Sequence, residues 1–250
     1  MKKMLKRIIP DRNVWLISAF FVIGIQTIHL GLFVGRNLYS LCFLDMFSMS
    51  DMYSMYILFP LISVLTIYIL RNEFTVMQTI REKSLFHIWY RICIKLILTS
   101  LYLAAVSTCY LSVLGFFATQ KIFTWDQTGS AYTFILNELC RKIPIWYIIV
   151  LYFSNTFISM LFSMIIPFFT YWILGNYSLG VLFSTVFWYS STLYAMPYIV
   201  FSGCKYSAIQ HGFDWKYQFQ IPYGVVFLLF FAGAFLIRQR DFLTQKKEGL

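Results

Sequence analysis

Charge is scarce in this chain: only 12% of its 250 residues are Asp, Glu, Lys or Arg, and ten of them are acidic. Soluble domains carry about twice that charged fraction, so a water-facing fold of this sequence would expose large apolar patches. Signatures of chemistry are missing as well. No Gly-x-x-x-x-Gly-Lys-Ser/Thr loop occurs, so the chain is expected to hold no nucleotide site of its own. Without a His-Glu-x-x-His or Gly-x-Ser-x-Gly motif, no catalytic centre is expected. His29, His87 and His211 show no metal-ligand spacing, and the five cysteines form no Cys-x-x-Cys pair, so no metal or cofactor in this chain is expected.

What the chain has instead is apolar length. Hydrophobic residues make up 60% of it and the mean hydropathy is +0.70. They collect in six segments, 14–35, 53–70, 92–117, 145–166, 177–201 and 221–237, each near the roughly 20 residues that a helix needs to cross hydrocarbon. None has the alternating pattern of a barrel strand. Helices are then the spanning solution that satisfies the backbone in lipid, and the expected fold is all-α, one membrane domain of six transmembrane helices. Lys2, Lys3, Lys6 and Arg7 resemble the start of a signal peptide. The apolar run that follows is too long and lacks a cleavage site, so it is expected to remain as the first span.

Cytoplasmic loops accumulate Lys and Arg. With the N-terminus inside, the cytoplasmic side carries Lys2, Lys3, Lys6, Arg7, Arg12, Arg71, Arg81, Lys83, Arg91, Lys95, Arg238, Arg240, Lys246 and Lys247. The outside has Arg36, Lys121, Arg141, Lys142, Lys205 and Lys216. Both termini are therefore expected in the cytoplasm, in a bacterial plasma membrane. Trp15, Trp89 and Trp172 fall near the inner interface, Trp125, Trp146 and Trp215 near the outer one, and Trp188 in mid-span. The net charge of +10 is explained by this topology and by anionic lipid, not by nucleic acid, because no nucleic-acid-reading motif surrounds the cations. Cys42, Cys140 and Cys204 lie outside, where a disulfide is allowed; Cys93 and Cys109 lie in the third span.

The most informative polar stretch joins spans two and three. Over 72–84, Phe74, Met77 and Ile80 recur at i, i+3 and i+6, while Glu73, Gln78, Arg81 and Glu82 offer polar contacts. This pattern predicts a short amphipathic helix, and Ser84 is placed to cap the helix after it. Glu73, Thr79, Arg81, Ser84 and Lys95, with the C-terminal exit Arg238-Gln-Arg-Asp-Phe242, give the chain a likeness: it resembles the permease subunits of type-2 ABC exporters. The Gly-Thr pair frequent in that family is replaced by Val76 and Met77. The resemblance covers nearly the whole chain and implies a cytoplasmic coupling helix, with Glu73, Phe74, Met77, Thr79, Ile80, Arg81, Glu82 and Lys83 docking on a separate ABC ATPase. It further implies two ATPase subunits that hold ATP and Mg, and a second permease, identical or related. The cargo implied is amphipathic or hydrophobic, such as an antimicrobial peptide or a lipid. The other reading of 72–84 is an interfacial helix resting on membrane lipid, in a non-ATP immunity or sensor protein; an intramembrane enzyme is a third class.

Several polar positions remain. Asn155, Ser159 and Ser163 form one stripe and Ser100, Ala104, Thr108 and Ser112 another, each either helix packing or the lining of a translocation path. Gln26 and His29, nearly one turn apart, are a candidate contact within the bundle, structural or proton-relaying. Gly31 and Gly35 match a small-xxx-small pattern, and Pro60 should kink span two. Met46, Met49, Met52 and Met55 repeat every three residues, which raises a Cu(I) site against simple packing. A short helix over 132–139 is expected to rest on the outer surface.

Overall fold

A computed structural model of the chain describes residues 12–34, 41–70, 85–136, 144–193 and 221–248. The described elements are helices: α1 (Arg12–Val34), α2 (Phe43–Tyr53), a π-helical turn (Ser54–Leu58), α3 (Phe59–Leu70), α4 (Leu85–Thr119), α5 (Ala131–Leu136), α6 (Ile145–Leu174), α7 (Tyr177–Leu193) and α8 (Ile221–Glu248). No strand is present among the described residues. Three helical stretches, Asn13–Gly31, Leu85–Thr119 and Ile145–Leu174, are long and apolar enough to cross a membrane; Tyr56–Leu70 and Tyr223–Leu236 are shorter apolar stretches. Large apolar side chains face outward, among them Phe20 on α1, 76% exposed, and Leu228 on α8, 68% exposed. Such faces suit lipid.

Helix directions alternate along the chain. One apolar cluster holds Val22 of α1, Leu58 to Leu70, Ile88 to Leu103 of α4, and Ile158 to Phe168 of α6. The other holds Leu30 of α1, Cys42 to Phe47, Leu111 of α4, and Ile148 to Tyr152 of α6. So α1 and α4 run from the first cluster toward the second, while 43–70 and α6 run back. Gly175 ends α6 in the left-handed conformation (φ +70°), its N–H bonded to the Tyr171 carbonyl at 2.8 Å. The Asn176 side chain then accepts the N–H of Ser178 at 2.9 Å, capping α7. This Gly-Asn pair reverses the chain, and the Tyr171 and Tyr177 rings stack across it at 3.8 Å.

Element boundaries differ from the expected spans at several places. The fourth span was expected to end at 166, before Pro167; α6 instead runs through Pro167 to Leu174. In a packed membrane helix, neighbouring groups compensate for the lost N–H. A π-helical turn, Ser54–Leu58, lies just before Pro60, where a kink was expected. The helical stretch containing span two begins ten residues early, at Phe43, and α4 seven residues early, at Leu85. The fifth expected span continues past α7 into residues outside those described.

Two glycines permit the closest helix approaches. A Cβ on Gly180 of α7 would lie 2.5 Å from the Pro167 Cα of α6, and one on Gly233 of α8 would overlap the Trp89 ring of α4. Gly24 of α1 has open space around it. Replacing Gly233 with leucine is expected to cost about 1–3 kcal/mol through overpacking, read as a lower thermal midpoint in detergent. Gly24→Ala should stay within about 0.5 kcal/mol of the parent.

Candidate functional site

The coupling residues Glu73, Phe74, Met77, Thr79, Ile80, Arg81, Glu82 and Lys83 lie outside the described residues, as does Ser84. What is described is the anchorage beside them. Trp89, one turn into α4, stacks on Phe168 of α6 at 4.7 Å and meets Trp172 edge-on at 5.7 Å. With Gly233 of α8 beneath its ring, this indole clamps the start of α4 to two other helices. Lys95, six residues on, is buried in the wall of α4.

Midway along the bundle, four helices are tied by side chains. The Gln26 amide of α1 donates to the Ser107 hydroxyl of α4, and at 3.4 Å to the Tyr152 hydroxyl of α6. Tyr152 shares further hydrogen bonds with Ser107 at 3.0 Å and with Ser50 of α2 at 3.2 Å. All four side chains are buried. Beside them, Thr27 bonds the Tyr110 hydroxyl. Gln26 thus makes hydrogen bonds across the bundle to α4 and α6, and His29 is buried nearly one turn further along α1. Ser107, Ser50 and Tyr152 were not singled out in the sequence; the signal was available, because a tyrosine hydroxyl within an apolar span must find a partner.

A second tie lies toward the other cluster. Ser63 of α3 donates to the Ser163 carbonyl of α6 at 2.9 Å and shares a hydrogen bond with Ser184 of α7 at 2.6 Å. The Trp188 indole of α7 donates to the Ser163 hydroxyl at 2.9 Å, so the mid-span tryptophan is a buried donor. Asn155, Thr156 and Ser159 lie on α6 between the two ties, all buried. Of the stripe read on the third span, Ser100 reaches the Met164 sulfur at 3.5 Å, while Thr108 and Ser112 bond carbonyls of their own helix.

A third constellation closes the far end. Asp45 is fully buried; its carboxylate accepts the Trp125 indole N–H at 2.6 Å and the Cys42 backbone N–H at 2.7 Å. The acid therefore acts as the N-terminal cap of α2, where the helix dipole favours it, and holds the loop that follows α4. Trp125 was expected as an outer interface anchor; it is instead buried and stacked on Tyr132 at 4.9 Å, because its N–H is the partner a buried carboxylate needs. The short helix expected over 132–139 is α5, Ala131–Leu136, with Tyr132 packed inward. Met46 of the methionine series is also buried, and a Cβ on Gly115 would meet it at 3.1 Å. The side chains of Met49, Met52 and Met55 are outside the described set. Cys42 is a free thiol; burial, aided by the adjacent Asp45 charge, pushes it up to about 11.

Two outcomes follow. Tyr152→Phe removes the hydroxyl shared by three partners and should lower stability by about 1–2 kcal/mol, measured as a thermal shift in detergent. Because the Cys42 thiol stays protonated below about pH 11, iodoacetamide should leave it unmodified at pH 8 in the folded protein and modify it increasingly as the pH approaches that value, as peptide mass mapping would record.

Comparison of the chain with known protein families, with characterised proteins and with solved structures finds no match.

Proposed function

We propose that this chain is the membrane-spanning permease subunit of an ATP-driven exporter. Its six spans would place both termini and the 72–84 helix in the cytoplasm of a bacterial plasma membrane. Two ATPase subunits on separate chains would bind ATP and Mg, and a second permease, identical or related, would complete the assembly. The cargo class is amphipathic or hydrophobic, an antimicrobial peptide or a lipid.

The observation that carries this reading is α4. It begins directly after the amphipathic segment and continues without interruption for 35 residues, about 52 Å at 1.5 Å per residue, against about 30 Å of hydrocarbon. A push on 72–84 would act on the end of a rod long enough to cross the bilayer. The Trp89 contacts with α6 and α8 would share that displacement among three helices, the kind of shear that carries a signal between distant sites.

Placing a carboxylate on the apolar stripe, Phe74→Asp or Met77→Asp, should leave membrane insertion intact and reduce cargo-dependent ATP hydrolysis by at least ten-fold in reconstituted vesicles. Parental ATPase stimulation and transport in both variants would contradict coupling through this helix.

A further inference from the structure

Helix hydroxyls in this protein usually satisfy themselves. Ser18, Thr27, Ser54, Thr66, Thr99, Thr108, Ser112 and Thr170 each donate to the carbonyl four residues back, at 2.6–3.0 Å. That bond is open to any serine or threonine inside a helix and needs no partner helix. Two buried hydroxyls of α6 do not take it: Thr156 and Ser159 have no hydrogen-bond partner among the described residues, and neither does the Gln26 carbonyl oxygen beside Tyr152. All three residues are at most 3% exposed.

Their placement is ordered. At 100° per residue, Tyr152, Thr156, Ser159 and Ser163 fall within about 60° of one another on α6, spread over about 16 Å of helix axis. The two ends of this face are the two interhelical ties, and the two unsatisfied hydroxyls lie between them. Thr156 and Ser159 are separated by about 4.5 Å along the axis, a spacing that a single water can bridge. Leaving such groups dry costs about 1–3 kcal/mol each, whereas a buried water needs two to four polar partners of this kind.

We infer that the α6 face from Tyr152 to Ser163 is an internal hydration site within the membrane domain, holding water between Thr156 and Ser159. The ligand class is small, neutral and hydrogen-bonding, since the groups supplied are hydroxyls. The inference requires only that α6 crosses the membrane, and it is independent of any ATPase.

The test uses the full-length chain in nanodiscs, after monodisperse elution has shown that each variant folds. Thr156→Val keeps the shape of the side chain and removes its hydroxyl, and Ser159→Ala removes the other. Each should lower the thermal midpoint, because a water held between the two hydroxyls loses a partner. A midpoint unchanged or raised in both variants would mean a dry seam and would overturn the inference.

Discussion

The Tyr152 hydroxyl is the point at which α1, α2, α4 and α6 are held to one another, through Gln26, Ser50 and Ser107. Its importance comes from the solvent. Lipid tails are as apolar as leucine, so apolar side chains gain little by leaving them for the bundle interior, and helix association rests on packing and interhelical hydrogen bonds. Each such bond contributes on the order of 1 kcal/mol, but a hydroxyl shared among three partners positions four helices at once. The Ser63–Ser163–Ser184–Trp188 tie does the same for α3, α6 and α7. Since α6 belongs to both, it is the common axis of the fold.

Around that axis the two ends are fastened by different physics. At the Trp89 end the clamp is aromatic: stacked and edge-on rings seated over a glycine. These contacts carry no charge. At the other end a buried carboxylate, Asp45, is bonded to an indole and a backbone N–H. Removing either partner would strand a charge in a dry site. That end is therefore fixed by hydrogen bonds to a buried carboxylate, the other by ring packing.

Much of the architecture was readable because apolar length is a one-dimensional property. The spans expected at 14–35, 92–117 and 145–166 lie within or nearly coincide with helices long enough to cross a bilayer. The boundaries drifted at Pro167 and at residues 43–52. Proline is tolerated in packed membrane helices, and Asp45 caps a helix that its polar neighbours had disguised as a loop. Trp125 lies just beyond the end of α4 but does not face headgroups as a belt tryptophan does, because its N–H is bonded to a buried carboxylate. Asn155, Ser159 and Ser163 are buried on α6, yet the tie at Tyr152 draws Ser50 and Ser107 from two other helices, and the tie at Ser163 draws Ser63 and Trp188 from two more. No periodicity within one segment can reveal which turn of another it will meet. The coupling residues at 73–83 rest on resemblance and amphipathic pattern alone.

On the function proposed above, this membrane domain would move under an ATPase carried on another chain. The most direct test is purification of the tagged protein from its native membrane in mild detergent, with the co-purifying chains identified and quantified by mass spectrometry. A Walker A-bearing ATPase in stoichiometric amount is the expected result. Recovery of the chain without an ATPase, under conditions that keep a known ABC complex intact, would contradict it.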